Sequence, residues 1–164
     1  MPTRLDQFPS LAAKNATSPE VAALFNALIA RAEACAKLQD EQLEAVTRHR
    51  EARTGKPFRH TKRQQKMLHE FDTDAEKALQ DERRLVSGMD DAALLASALA
   101  GEQFKLHLDE DMFTSYREED RGLAARIIDF RKETIRRLEA FLEISPLKEK
   151  VLRILPRKKW TNAS

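Results

Sequence analysis

The helix that decides the fold is encoded by residues 18–55, which read SPEVAALFNALIARAEACAKLQDEQLEAVTRHREARTG. Ser18 and Pro19 form a start signal, because serine caps free backbone amides and proline suits the first helical position. No other glycine or proline follows until Gly55, the residue type that most often terminates a helix. The stretch therefore predicts one continuous helix of roughly 54 Å at the usual helical rise.

This predicted helix is apolar along one face over its first half only. At about 100° per residue, the stripe comprises Val21, Leu24, Phe25, Leu28, Ala32, Cys35 and Ala36. The same line continues through Gln39, Gln42, Leu43 and Val46 and then reaches Arg50 and Arg53. We expect the first half to pack in a core and the second half to leave it or to join a more hydrated contact.

Four further helices are predicted, most of them from a start signal and a stop signal. Thr61 and Gln64 form a capping box ahead of the second helix, and Asp90 caps the third. Residues 102–112 alternate like a strand but have no partner strand, so a kinked helix and an extended connector both remain open. The predicted limits are 61–87, 90–100, a start between 109 and 114 with an end before 145, and 145–156.

Composition excludes folds that are based on sheets. Leucine and alanine together number 43, whereas valine and isoleucine together number 10, and only 4 glycines are present. Strands favour β-branched residues and need glycine-rich turns, so sandwiches, barrels and doubly wound folds are excluded. We predict an all-α fold: a long-helix antiparallel bundle or coiled-coil-like hairpins, with about four main helices plus a short C-terminal helix.

Three regions follow from these boundaries. Residues 1–17 are predicted to be an N-terminal tail that either stays loose or docks through Phe8 and Leu11. Residues 18–144 are predicted to form the helical bundle. Residues 145–164 are predicted to form a short amphipathic helix and a basic tail.

The sequence indicates neither a membrane protein nor a secreted one. No apolar run reaches the length of about 18 residues that a transmembrane segment needs, and the N-terminus lacks the apolar core of a secretory signal. The single cysteine, Cys35, cannot form an internal disulfide, which is typical of a reducing compartment. We therefore predict a cytoplasmic protein in which Cys35 is a buried structural residue.

The motifs of metal and catalytic sites are missing from the sequence. None of the four histidines, His49, His60, His69 and His107, has a glutamate three residues before it, as di-iron bundles require. The few glycines are too far apart for a phosphate-binding loop, and no nucleophile elbow occurs. The acidic runs 109–111 and 118–120 are interpreted as solvated helix ends. We predict a protein without catalytic activity, cofactor or metal.

Two charged residues interrupt predicted apolar stripes. Arg131 lies within the broad apolar arc of the fourth predicted helix, and Glu82 lies at the centre of the stripe on the second. That second stripe consists of Gln64, Met67, Leu68, Phe71, Ala75, Ala78, Leu79, Leu85 and Val86. One hypothesis is that Glu82 and Arg131 pair across the bundle and fix its register. The alternative is that each side chain reaches water at the edge of its stripe.

Charge is strongly segregated along the chain, although the formal net charge is only +2. Residues 48–66 carry +7 and residues 145–159 carry +5, whereas residues 70–82 and 102–120 each carry −5. A basic block of this kind can contact an acidic partner. The candidate binding residues are Arg50, Arg53, Arg59, Lys62, Arg63, Lys66, Arg157, Lys158 and Lys159.

Three functions are compatible with this charge pattern. We expect a protein–protein interaction module, such as an adaptor, an assembly chaperone or a regulatory subunit, that also forms homo-oligomers. The alternative is nucleic-acid binding through the basic turn between the first two helices and the C-terminal tail, with Phe58 available for stacking. A weak contact of residues 145–160 with a membrane surface, where a basic amphipathic helix ends in Trp160, is the third.

Overall fold

The computed structural model describes residues 5–156, and all regular secondary structure within them is helical, as the composition predicts. The helices are α1 (Phe8–Asn15), α2 (Pro19–Thr54), α3 (Lys62–Ser87), α4 (Asp91–Phe113), α5 (Arg121–Glu143) and α6 (Lys148–Ile154), with one turn of 3-10 helix at Glu118–Asp120. The number of helices differs from the predicted one because α1 lies in the segment predicted as a tail.

The long helix α2 begins and ends at the residues that the sequence predicts. Ser18 adopts the extended N-cap conformation, but its hydroxyl bonds to the Glu20 carboxylate at 2.6 Å rather than to an amide of α2. Gly55 ends the helix with a φ of 67°, in the left-handed region that glycine tolerates best. Its amide donates to the Glu51 carbonyl at 2.8 Å, which satisfies one of the last free carbonyls.

The helix α4 is continuous where the prediction has two segments and a break. Asp90 caps it as expected, because its carboxylate accepts a hydrogen bond from the Ala93 amide at 2.8 Å. The helix then runs through Gly101 and residues 102–112 to Phe113, so the extended connector is wrong for this stretch. A glycine inside a helix costs only about 1 kcal/mol, and packing of α4 on its neighbours outweighs that penalty.

Two helices begin later than the sequence predicts. The helix α5 begins at Arg121 rather than between residues 109 and 114, because α4 extends to Phe113 and a connection follows it. The helix α6 begins at Lys148 with Leu147 in the N-cap position. Ser145, the predicted cap, instead accepts a hydrogen bond from the Leu147 amide at 3.1 Å through its hydroxyl.

The hydrophobic core lies around α5, which packs against both α2 and α4. The short helix α1 packs on α2, and α6 packs on α4. The predicted apolar faces of α2, α4 and α5 supply most of the buried side chains, because each presents a stripe at helical spacing. The largest fully buried side chains are Val21, Phe25, Val86, Leu94, Leu95, Leu138 and Val151.

The N-terminal segment adds a helix to this core. The Phe8 ring meets the Phe25 ring edge to face, with 6.0 Å between the ring centroids. Leu11 also packs against the core, and Ala12 is fully buried. Of the two alternatives for residues 1–17, docking through Phe8 and Leu11 is therefore the one observed for the part of this segment that the structure describes.

The starts of α2 and α4 are joined by the buried carboxylate of Asp91. This carboxylate accepts hydrogen bonds from the Thr17 and Ser18 amides, both at 2.8 Å, and from the Thr17 hydroxyl at 3.1 Å. Asp91 is only 8% exposed, so these three donors replace the water that its charge would otherwise bind.

The helix α3 contributes little to the core. Its capping box of Thr61 and Gln64 forms as predicted, but its main helix contact is with α1. Val86 is its one buried residue, and the edge that includes Leu68 and Leu79 is half-buried. The remainder of its predicted apolar stripe faces solvent in the single chain.

Candidate functional site

A cavity of about 600 Å³ lies among α2, α4 and α5, and residues of α1 and α3 contribute to its edge. Its wall contains several charged side chains together with apolar ones, a mixture that is typical of ligand sites rather than of a closed core. The charged residues of its wall are Asp6, Arg31, Glu82, Glu102, Lys105 and Arg131.

Arg131 is the central buried cation of this cavity. Its guanidinium forms an ion pair with the Asp109 carboxylate through Nε, and Nη1 lies 3.5 Å from a Glu102 carboxylate oxygen. The Arg131 side chain is 8% exposed, so it does not reach bulk water. Two carboxylates therefore compensate the buried charge, as the cost of removing a cation from water requires.

Lys105 is the second paired cation of the cavity. Its Nζ lies 2.7 Å from the Asp6 carboxylate and 3.7 Å from that of Glu102. Burial favours the neutral amine, but Asp6 and Glu102 outweigh it and raise the pKa of Lys105 above its ordinary value. The ammonium therefore stays charged and holds α1 to α4.

Arg31 differs from the other two cations because its hydrogen bonds end on neutral oxygens. Nε donates to the Thr134 hydroxyl at 2.9 Å and Nη2 donates to the Phe130 carbonyl at 3.0 Å. The guanidinium also lies 4.1 Å from the centroid of the Phe130 ring. Burial, followed by the repulsion of Arg137, lowers the pKa of Arg31, and the attraction of Glu102 opposes this only in part.

Glu82 lines the cavity but is not the partner of Arg131. Among the ion pairs of residues 5–156, none joins Glu82 to Arg131, and Asp109 and Glu102 occupy the guanidinium instead. Burial and the nearby Asp6 raise the pKa of Glu82, while Lys105 lowers it in part. Of the two hypotheses, the Glu82–Arg131 pair is therefore not observed, and the buried Arg131 does not reach water either, since a stripe position does not reveal the distance between two helices.

Cys35 lies in the cavity wall and is buried. Burial raises the pKa of its thiol, and the nearby Arg131 only partly opposes that effect. A thiol that is buried and protonated is a weak nucleophile. The structural role expected for Cys35 is consistent with this environment.

A second polar cluster lies where α2 meets the start of α5. Nδ1 of His49 is 2.6 Å from the Asp120 carboxylate, and with Glu119 the ligand atoms lie within 4.8 Å of one another. The two acids already have partners, because Arg53 forms an ion pair with Glu119. We interpret the cluster as a contact that holds α2 to α5, and the absence of a metal stays a prediction.

The basic residues at the connection between α2 and α3 lie on the surface. Arg53 is engaged by Glu119, and the Arg50 guanidinium lies 5.3 Å from the centroid of the Phe58 ring. The exposed cations around the start of α3 are Arg59, Lys62, Arg63 and Lys66. The remaining candidates, Arg157, Lys158 and Lys159, lie outside the described residues.

The segment considered for membrane contact uses much of its apolar surface inside the protein. Val151 is fully buried, and Leu147 and Leu155 pack against the core. Leu152 remains 55% exposed, and Trp160 lies outside the described residues. None of the helices within residues 5–156 combines the length and apolar character that are needed to cross a bilayer.

Three large apolar side chains lie strongly exposed along one line of α3. Met67 is 58% exposed, Phe71 65% and Leu85 67%, and Ala78 lies on the same line of the helix. We call these four residues the α3 face. Asp74 lies on the same line, and the exposed charges beside the face that form no ion pair among the described residues are Arg63, Lys66, Glu70, Lys77, Asp81 and Arg84.

Several residues of the cavity do not stand out in the sequence. Glu102, Lys105 and Asp109 lie on one side of α4 at spacings of three and four residues, which becomes visible only if 102–112 is a helix. The apolar alternation between residues 104 and 108 conceals that helix. Arg31 does not stand out in the sequence, because its position beside the apolar stripe of α2 is one that exposed arginines commonly occupy.

Comparison with protein families, curated proteins and solved structures finds no match to this chain. Its function is therefore argued from its own residues.

Proposed function

We propose that this protein is a non-catalytic helical interaction module, built of antiparallel helix pairs, that binds through the α3 face and associates with copies of itself. The observation that carries the proposal is the exposure of large apolar side chains on that face, above all Phe71 at 65%. We place the module in the cytoplasm, which a single cysteine favours. Adaptor, assembly chaperone and regulatory subunit are the roles that we assign to it.

The α3 face has the character of an interface rather than of an ordinary surface. An amphipathic helix normally buries its apolar stripe, and contiguous exposed apolar residues mark sites of association. Within residues 5–156, only the other edge of α3, with Val86 and the half-buried Leu68 and Leu79, faces the remaining helices. The α3 face is thus available to a helix from outside.

Charge complementarity favours a second copy of this chain as the occupant. Along one side of the α3 face, the exposed charges run in the order Arg63, Lys66, Glu70, Asp74, Lys77, Asp81 and Arg84. A parallel copy in register would place each charge against its equal. An antiparallel copy brings Glu70 opposite Lys77 and Lys66 opposite Asp81, twice each because such a contact is twofold symmetric, and leaves Arg63 and Arg84 to meet at its ends. In this register the twofold axis passes between Thr73 and Asp74, about 4 Å along the helix from each Phe71.

Sedimentation velocity over a range of protein concentrations tests this association. We expect the wild type to form dimers as its concentration rises and Phe71→Ser to remain a monomer. The control is Leu152→Ser, which removes an apolar side chain of similar exposure from α6 and should leave the dimer unchanged. Since Phe71 is exposed, its replacement should not unfold the chain, which circular dichroism verifies.

Charge reversal tests the antiparallel register. Glu70→Lys and Lys77→Glu should each weaken the dimer, and the double variant should restore it because the pair is exchanged. A double variant as weak as the single ones would overturn the register. A wild type that stays monomeric at every concentration overturns self-association. In that case, loss of a captured partner from the Phe71→Ser bait would assign the α3 face to a different protein.

Nucleic-acid binding is a second candidate, favoured by the exposed cations at the start of α3. Arg59, Lys62, Arg63 and Lys66 lie beside the exposed Phe58, a combination that contacts phosphates and stacks on bases. Titration of DNA and RNA at several salt concentrations tests it. A complex that weakens with salt and with Lys62→Gln supports this function, and no complex at low salt would exclude it.

A further inference from the structure

The cavity among α2, α4 and α5 has the size of a site for a small molecule. Its volume is about 600 Å³, and protein sites for such ligands span roughly 300–1,000 Å³. Well-packed interiors leave few voids larger than a water molecule. The space between these helices is larger than such voids and is partly open to solvent, so a small molecule could enter it.

Much of the cavity wall is apolar. Leu28 and Ala32 of α2, Ala98 of α4 and the Phe130 ring of α5 contribute to it, with Leu138 farther along α5. Such a wall gains free energy by covering a hydrocarbon surface, and it offers no hydrogen bond to a sugar or a nucleotide. The larger part of the occupant is thus expected to be apolar.

The charged side of the cavity offers one cation without a carboxylate. Lys105 and Arg131 are each held by two acids, whereas no carboxylate of residues 5–156 lies within 4 Å of the Arg31 guanidinium. Arg31 uses two of its five N–H groups on Thr134 and Phe130, which leaves three for a ligand. Those two bonds and the stacking on the Phe130 ring hold the guanidinium in place before a ligand arrives.

The acids around the cavity do not cancel this preference for an anion. Glu102 is already engaged by Lys105 and Arg131, and Asp6 by Lys105. Burial raises the pKa of Glu82, which makes a negative charge at that position less favourable. Arg31 is thus the charged residue of the wall whose remaining N–H groups can bind an anion.

We propose that this cavity binds a small apolar carboxylic acid, whose carboxylate pairs with Arg31 and whose hydrocarbon part lies against Leu28, Ala32 and Ala98. The planar guanidinium suits a carboxylate, because two parallel N–H groups can meet its two oxygens. None of these ligand-contacting residues belongs to the α3 face, so ligand binding and self-association can be tested separately.

Isothermal titration calorimetry with octanoate, decanoate and dodecanoate tests the site. We expect saturable binding of one ligand per chain, with weaker binding of decanol and none of decyltrimethylammonium, because only the carboxylate can pair with Arg31. Failure of all three carboxylates to bind would overturn the proposal. Equal affinities for decanoate and decanol would overturn the role of Arg31.

Matched variants locate the site on the protein. Arg31→Gln should weaken decanoate binding about tenfold or more through the loss of charge-assisted hydrogen bonds, and Arg31→Lys, which keeps the charge, should weaken it less. The control Arg136→Gln removes an equal charge from a side chain of α5 that is 76% exposed, and it should bind as the wild type does.

A cavity-filling variant provides an independent test if the Arg31 variants do not fold. Ala32→Leu extends an apolar side chain into the cavity and should weaken decanoate and decanol alike while the helix content is retained. Unchanged affinity in both Ala32→Leu and Arg31→Gln would place the ligand elsewhere and overturn the assignment.

Discussion

The guanidinium of Arg131 is the single group on which the charged interior most depends, because two carboxylates face it. Asp109 and Glu102 are 28% and 20% exposed, so each would lose solvation without gaining a partner if the cation were removed. A half-buried carboxylate in that position repels its neighbour and disfavours the folded state. The arrangement makes Arg131 far more sensitive to substitution than the surface arginines of the same helix.

Arg131→Met should lower the free energy of unfolding by about 3 kcal/mol, because it leaves the acids of α4 unpaired. Urea denaturation followed by circular dichroism measures the change. Arg136→Met, on an exposed position of α5, should change stability by less than about 0.5 kcal/mol. If Asp109→Asn and Arg131→Met have strictly additive effects in the double variant, the two side chains do not interact.

Glu82 gives the fold a pH dependence of defined sign. Burial raises its pKa in the folded state, so the folded chain takes up this proton more readily than the unfolded chain does. The resulting stabilisation is complete at pH values below the ordinary carboxyl pKa and is lost as the pH rises through the raised value. Ionised Glu82 therefore disfavours the folded state at neutral pH.

Glu82→Gln should raise the urea midpoint at neutral pH and leave it unchanged in acid, where the wild-type carboxyl is also neutral. Thermal or urea unfolding at both pH values measures the difference. Asp81→Asn, which removes an equal charge from the exposed side of α3, is the matched control. A Glu82→Gln variant that is less stable than the wild type at neutral pH would contradict the direction assigned to the pKa.

At the scale of helices, α3 is the least anchored long element of the chain. It places only Val86 in the core, whereas α4 buries seven residues, among them Leu94 and Leu95. Regions with few buried contacts open locally at a lower free energy than the core does. The N-terminal half of α3 is held chiefly by its own hydrogen bonds and by the capping box at Thr61.

Hydrogen exchange monitored by mass spectrometry should show this difference directly. At concentrations where the chain is a monomer, peptides from the first half of α3 should exchange orders of magnitude faster than those of α4 around Leu94. Raising the concentration should slow exchange in α3 if its face becomes covered. Equal protection of the two helices in the monomer would mean that α3 is packed as firmly as the core.

The helical class and the core faces could be predicted from the sequence, whereas the surroundings of α3 could not. Leu94 and Ile127 are buried as their stripes predict, because periodicity reports which side of a helix is apolar. Met67 and Phe71 follow the same periodicity and are nevertheless exposed. Periodicity does not show whether another helix of the chain covers an apolar face. The cavity could not be predicted either, because its volume depends on the distances between helices and not on the sequence of a single helix.

At the scale of the whole molecule, Asp91 connects the start of α2 with the start of α4. It holds the start of α2 through Thr17 and Ser18, while the helix that it begins packs on α5 and α6. Three donors converge on this carboxylate from residues more than 70 positions away in sequence. Such a contact fixes the tertiary arrangement without contributing to the stability of either helix alone.

Asp91→Ala should lower the free energy of unfolding by about 1–3 kcal/mol, because it leaves the Thr17 and Ser18 amides without their acceptor. Asp91→Asn, which keeps one acceptor oxygen, should cost less. Urea denaturation measures both, and the helix content of the folded variants should remain that of the wild type. An alanine variant as stable as the wild type would show that water replaces the carboxylate.

The exposed connection between α2 and α3 has a consequence for how the chain responds to cleavage. Every residue from Gly55 to Thr61 is exposed, and the Arg59–His60 bond offers a site to trypsin, whereas Pro57 protects the bond after Lys56. A cut there separates α1 and α2 from the rest of the polypeptide, yet α2 still packs on α5, and Asp91 still binds Thr17 and Ser18. The two fragments should remain one particle on a sizing column and, once separated, should reassemble by complementation.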